Sequence, residues 1–122
     1  MNITATHFAD ATVLSIEGRF DQNSADEAKA VLVKYAAGDD REYLVIDLNG
    51  VDYISSAGLR VLMIAAKSIA DRSGTVVIAN PTSVVREILE ISRFHLLFTL
   101  YDSVGDALST LSADAARAYR GE

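Results

Sequence analysis

The chain has 122 residues, half of them hydrophobic and 23% charged, which is enough for one domain with a real core and too few for two, so residues 1–122 are read as one domain. No apolar run approaches the roughly 20 residues of a membrane span, no basic amino-terminal segment leads into an apolar run, and the expected location is cytoplasmic. The lack of cysteine excludes disulfides, thiolate zinc sites and cysteine nucleophiles, while 17 acids against 11 Lys and Arg, a net charge of -6, set the chain against nucleic acid and anionic membranes and favour a basic or mixed protein surface.

Taken in chain order, Ile3 to Phe8 and Thr12 to Glu17 alternate in polarity around Ala9 and Asp10, which predicts a hairpin with one wet face. After a polar turn at Asp21, Ser24 with Glu27 three residues on has the spacing of a capping box. Ala28, Val31, Leu32 and Tyr35 then recur at helical spacing up to about Gly38. "YLVIDL" from Tyr43 and "TVVIA" from Thr75 are nearly all apolar, as parallel strands covered on both faces are. Between them lies an amphipathic helix beginning at Ser55 and Ser56. Leu59, Leu62, Met63, Ala66 and Ala70 form its apolar stripe, Arg60, Lys67 and Asp71 lie on another face, and Gly74 serves as C-cap. A third helix is predicted from about Ser83 to Ser92, a short strand from Phe98 to Tyr101, and a fourth helix through Val104, Ala107, Leu108 and Leu111. Strands alternating with helices imply an α/β layer fold with right-handed crossovers, in which functional loops follow the carboxyl ends of strands.

"VDYISSAGLRVL", Val51 to Leu62, is such a loop. A serine at a helix start accepts a hydrogen bond from a free backbone N–H, worth about 1 kcal/mol. That accounts for one serine. If Ser55 is the cap, Ser56 enters the first turn with its hydroxyl outward, and Ala57 and Gly58 leave its approach uncrowded. A phosphoryl group on Ser56 would sit at the positive end of the helix, favoured by roughly 0.3 to 1 kcal/mol, and would change any interface built around it. On the residues alone, cap and modifiable hydroxyl both stand.

Catalysis by Ser56 needs a histidine oriented by a carboxylate. The chain has His7 and His95, and His95 sits in the apolar "RFHLLF", where a packed or partly exposed histidine is the simpler reading. No glycine precedes the serines at nucleophile-elbow spacing. Asp39 with Asp40, and Asp47 with Asp52, lack His or Cys partners in ligand spacing and read as a solvated loop and strand-flanking polar residues. The expectation is a protein with no catalytic residues, no metal and no cofactor.

The segment resembles the hallmark of the STAS domain family, and within it the bacterial anti-sigma factor antagonists, where a strand is followed by roughly Asp-Ser-Ser/Thr-Gly-Leu-Gly. Ser55, Ser56, Ala57, Gly58, Leu59 and Arg60 occupy those positions. "IEGRFDQNSADEA" is similar to the family's Gly-x-x-Asp turn before the first helix, "YLVIDLNGVDYI" to its central strand, and "GTVVIANPTSVVREILEIS" to its later strand and helix. The resemblance covers almost the whole chain. It implies a small mixed β-sheet with about four helices packed mainly on one face.

It also implies partner switching. The unmodified protein binds a serine-kinase anti-sigma factor and frees the sigma factor; the kinase phosphorylates Ser56 and weakens the complex; a metal-dependent serine phosphatase reverses this. Asp21 is placed near the acceptor, and Asp21, Ser55, Ser56, Ala57, Gly58 and Arg60 form the partner-binding set of a monomer or weak dimer. Two departures stand out: Ser55 replaces the family's acid, which leaves open which serine is modified, and Ala57 replaces a competing hydroxyl. Arg60 replaces a glycine and either contacts an acidic partner or the phosphate, or is an ordinary solvated helix residue. Some related domains bind nucleotides, although "SSAGLR" lacks the long glycine-rich loop and lysine of a phosphate cradle. The alternative is a STAS adaptor that is never phosphorylated, in a signalling scaffold or lipid-transport complex.

Overall fold

The alternation of strand and helix patterns builds one five-stranded sheet in the order β1-β2-β3-β4-β5. The computed structural model describes residues 1–122. β1 (Asn2–Phe8) and β2 (Ala11–Phe20) form the antiparallel hairpin, and β3 (Tyr43–Ile54), β4 (Thr75–Ala79) and the two-residue β5 (Leu100–Tyr101) add in parallel. α1 (Ala25–Gly38), α2 (Ser56–Ala70) and α3 (Ser83–Ile91) cover one face, where 20 buried residues, among them Leu14, Ile46, Leu62 and Leu89, form the main core. α4 (Val104–Leu111) and α5 (Ala113–Tyr119) cover the other face over a smaller cluster of 10, including Val13, Val45, Val77 and Leu108.

The mixed α/β sheet agrees with the expectation, and the helix count is five rather than about four. The added helix arises at Ser112, which ends α4 in an extended conformation and caps α5 by accepting from the Ala115 N–H at 3.1 Å. The Ser112 hydroxyl also donates to Asp10 at 2.5 Å, which ties α5 to the β1–β2 turn.

β3 runs on to Ile54, well past the apolar "YLVIDL". Beyond Asp47 it leaves β4 and pairs with β2 alone, through register shifts between Ser15 and Glu17 and between Gly18 and Arg19. Gly18 takes φ +119° at the second shift, a backbone conformation that a side chain would strain. The expected strand at Phe98 shortens to Leu100–Tyr101, because residues 94–96 form a 3-10 turn that buries Phe94 and Phe98.

Local expectations at two caps change. Ser24 stands at the N-cap position of α1 without capping it: its oxygen accepts from the Asp21 N–H at 3.1 Å and its hydroxyl donates to Arg19 O at 2.8 Å, so it closes the turn before the helix instead of forming the box with Glu27. At the end of α2 the left-handed residue is Ser73, at φ 62°, and not Gly74. Gly74 bonds back to Ile69 O at 2.9 Å, and a Cβ there would come within 2.6 Å of the Ile69 side chain. Arg72, for which the sequence carried no expectation, reaches from beyond α2 to the carboxyl end of α1. Its guanidinium donates to Ala36 O at 2.6 Å and to Arg41 O at 2.7 Å, satisfying a carbonyl that the helix end leaves without a partner. Arg72→Ala is expected to lower stability by about 1.5 to 3 kcal/mol. A urea titration in which Arg72→Ala matches the wild type would contradict that account.

α2 also buries a face rotated from the expected one. Gly58, Val61, Leu62, Ala65 and Ile69 point inward, and Met63 stays 50% exposed. The run Val61 to Ala66 is apolar all round, so its pattern fits two adjacent stripes. Gly58 chooses between them: a Cβ there would lie 2.8 Å from both Phe20 O and the Ile54 side chain, so only glycine lets this face approach the sheet.

Candidate functional site

β3 delivers its last residue, Ile54, into the core, and the chain then turns into α2 at the carboxyl end of the strand. The Ser55 N–H donates to Phe20 O at 2.9 Å, which fastens the serine loop to the end of β2. Ser55 is the N-cap: its oxygen accepts from the Gly58 N–H at 3.4 Å, and its carbonyl accepts from the Leu59 N–H at 2.9 Å. Ser56 is the first residue of α2 and is exposed. The two serines therefore divide the work. One oxygen is committed to the helix start and the other faces solvent.

The electrostatics of this end of α2 are unbalanced. Asp26 and Glu27 lie in the first turn of α1, whereas the first turn of α2 holds no acid, so nothing within that turn offsets the partial positive charge of its unpaired N–H groups. Arg60 follows Ser56 by four residues on the same helix and is exposed, on the side that faces Ser56 one turn away. It forms no ion pair within the chain.

Asp21 lies one residue past Phe20, whose carbonyl holds Ser55. Its carboxylate accepts from Arg19 Nε at 3.0 Å and from the Asn23 N–H at 2.9 Å, and Arg19 in turn lies 4.2 Å over the Tyr53 ring. Asp21, Ser55, Ser56, Ala57, Gly58 and Arg60 are thus gathered at one end of the sheet, with Gly58 buried beneath the others. A groove of about 390 Å3 runs beside them between α1 and α2, with Ala57 and Arg60 on one wall and Gln22, Asp26 and Lys29 on the other. Lys29 and Gln22 had no signal in the sequence, since they come to the loop from a different element and share no spacing with it.

The histidines are elsewhere. His7 pairs with Thr12 and Thr12 with Leu44, so His7 stands ten strand residues before Ile54, on the order of 30 Å from the serine loop. Its environment is a second polar cluster. The Thr12 hydroxyl donates to Asp39 at 2.9 Å, which leaves His7 Nδ1 to donate to Thr12 Oγ1, also at 2.9 Å. Asp39 is therefore not the freely solvated loop residue expected. Partial burial pushes its carboxyl upward, but the Arg41 N–H, the Thr12 hydroxyl and the Arg41 charge outweigh that and hold it below the ordinary aspartate value. A lowered carboxyl contributes stability that is full above the unfolded value, near pH ~4, and is lost as pH falls through the folded one. Asp39→Asn is expected to flatten the acid side of the stability curve. Thermal midpoints between about pH 7 and about pH 3 that fall equally in both proteins would refute this. Asp47 binds Ser15 and the Asn49 N–H, as a strand-flanking residue does.

The STAS domain model matches residues 2–107. The chain belongs to the STAS domain family. The match takes in the serine loop and ends within α4, so that α5 lies outside it. BtrV of Bordetella bronchiseptica is 32% identical over 103 residues, covering 84% of this chain and 88% of that protein. The anti-sigma-F factor antagonist RsfB of Mycobacterium tuberculosis is 28% identical over 109 residues, 89% of this chain and 88% of its own. Among solved structures, an anti-sigma factor antagonist from Mycobacterium paratuberculosis superposes with a TM-score of 0.81 at 22% identity, covering 90% of this chain and 92% of that one. The unphosphorylated form of the anti-sigma factor antagonist SpoIIAA superposes at 0.74 and 12% identity over 99% of this chain and 98% of its own, which is a likeness of fold. No helix of this STAS domain is long and apolar enough to cross a membrane.

Proposed function

We propose that this STAS domain is an anti-sigma factor antagonist that works by partner switching in the cytoplasm. With Ser56 unmodified it binds a serine-kinase anti-sigma factor and so releases the sigma factor; phosphorylation of Ser56 weakens the complex, and a metal-dependent serine phosphatase restores it. The protein is a substrate in this cycle and not an enzyme. The observation that carries the reading is the division of labour between the serines, with Ser55 capping α2 and Ser56 exposed at its first position. It also favours Ser56 over Ser55 as the acceptor, because removing the Ser55 oxygen from its cap costs helix stability of about 1 kcal/mol.

The charge logic supports the switch. A phosphate on Ser56 adds about -1.5 to -2 charges over a helix start with no acid in its first turn, beside Arg60 and across the groove from Lys29, so the fold accepts it. A partner seated on the same loop meets a charge that was not there before. Asp21, with Arg19 and Tyr53 behind it, and Arg60 then frame the docking face. The names of the relatives support the coarser part of this reading, an anti-sigma factor antagonist.

The test is to incubate the protein with the serine kinase that it binds and ATP, then map the phosphate by mass spectrometry. Phosphate on Ser56 is the expected result. Binding without modification at Ser56 would defeat the switch and leave the unphosphorylated adaptor as the reading that remains.

A further inference from the structure

We propose that the surface around the 3-10 turn joins two copies of this chain about a two-fold axis, apart from the Ser56 loop. The turn is anchored from beneath. Phe94 and Phe98 are buried, their rings stack with centroids 6.0 Å apart, and the Phe98 N–H bonds back to Phe94 O at 2.8 Å. Arg93 enters the turn in the left-handed region at φ 62°, a strained conformation for a residue with a side chain. What the rigid turn presents outward is apolar: Leu96 is 68% exposed, Leu97 62%, and Ile91 at the end of α3 75%. Scattered surface leucines need no explanation, but Ile91 and Leu96 line one hollow and Leu97 the next, so three large exposed aliphatic side chains stand within seven residues of one another.

A groove of about 480 Å3 opens beside that knob, with Leu97 and Phe98 on one wall and Met63, Ala66 and Ala70 of α2 on the other. This is the stripe of α2 that the Gly58 contact turned away from the core. A two-fold contact requires each copy to present both halves of the match, and here knob and groove adjoin on one chain.

The charges choose the occupant. Glu90 and Arg93 flank the knob, while Lys67 lines the groove and Asp71 follows it one turn along at the end of α2; all four are exposed. None of them enters the five ion pairs within the chain. Setting the knob of one copy over the groove of the other matches Glu90 with Lys67 and Arg93 with Asp71, each pair twice. A rim with one acid and one base on either side complements itself and favours neither a strongly acidic nor a strongly basic partner.

The contact centres toward the other end of α2 from the serine loop, where Met63 and Lys67 continue the exposed face that begins with Ser56 and Arg60. The 3-10 turn precedes β5 whereas Ser56 follows β3, so the patch sits toward the amino ends of the parallel strands and the serine loop at their carboxyl end.

Sedimentation velocity over a dilution series tests this on the whole chain. The wild type is expected to move toward twice its monomer mass as concentration rises, and Leu96→Glu to remain monomeric with an unchanged melting curve, since that side chain is exposed. Glu90→Lys and Lys67→Glu alone should each raise the dissociation constant about tenfold, and together they should restore it. A protein that is monomeric throughout overturns the proposal. So does a dimer indifferent to Leu96→Glu, or one that the paired charge reversal fails to restore; the charge pair decides if Leu96→Glu melts early. Monomeric wild type that binds another protein through this patch would likewise exclude the second copy as its occupant.

Discussion

Ser56→Asp is expected to bind the serine-kinase anti-sigma factor roughly tenfold to a hundredfold more weakly than the wild type, while Ser56→Ala binds it at least as well and holds it persistently. The difference comes from charge. Alanine removes a hydroxyl from an exposed site and leaves the Ser55 cap in place. Aspartate puts a carboxylate in an interface that formed around a neutral residue, and a charge desolvated without a partner, or facing a like charge, costs several kcal/mol. The fold should tolerate both, because an acid in the first turn of α2 interacts favourably with the helix start and adjoins Arg60. Calorimetric titrations check the outcome: equal affinities for the two variants would show that charge at this position is not what releases the partner. Melting curves should coincide within about 0.5 kcal/mol, as surface substitutions do, and that separates a switch from a damaged fold.

Leu62→Ala is expected to cost about 2 to 5 kcal/mol, and Met63→Ala, one residue further along the same helix, much less. Leu62 is fully buried in the main core and Met63 is 50% exposed. Removing the Leu62 side chain leaves a cavity under α2 that the sheet cannot fill, and a domain of this size has only about 5 to 15 kcal/mol of stability to lose. Any loss of partner binding by Leu62→Ala should follow from unfolding and recover on cooling or on adding a stabilising osmolyte. Denaturant titrations giving the two substitutions similar costs would mean that α2 is not rotated as described. Gly58 makes the same point in the other direction, since a methyl group there would push α2 away from Phe20 and Ile54 and displace the serine loop with it.

Much of the fold was legible because its signals are local. Alternating polarity marked the β1–β2 hairpin, all-apolar runs marked β3 and β4 as strands covered on both faces, and the serine pair after a strand marked the start of α2. The limits are also instructive. The apolar run "YLVIDL" stops at Leu48, yet β3 continues through Asn49 and Gly50, because pairing with the far half of β2 carries the strand on to Ile54. Ser24 and Glu27 have capping-box spacing, yet the turn at Asp21 takes the Ser24 oxygen first. The face of the expected fourth helix ends at Leu111 with no further helix marked after it, and Ser112 is where α4 stops and α5 starts.

The site divides along the same line. That a hydroxyl stands at the start of a helix after a buried strand was decided by the order of residues from Val51 to Leu62, since capping and helical periodicity involve neighbours along the chain. Which serine caps, which face of α2 is buried, and which charges surround Ser56 were decided by groups far away in sequence. Phe20 O holds Ser55, Phe20 and Ile54 exclude any side chain at position 58, and Lys29 faces Arg60 across the groove. An apolar helix can turn about its axis with little change in its own energy, so its rotation is chosen by what it packs against, and that choice exists only once the sheet has formed.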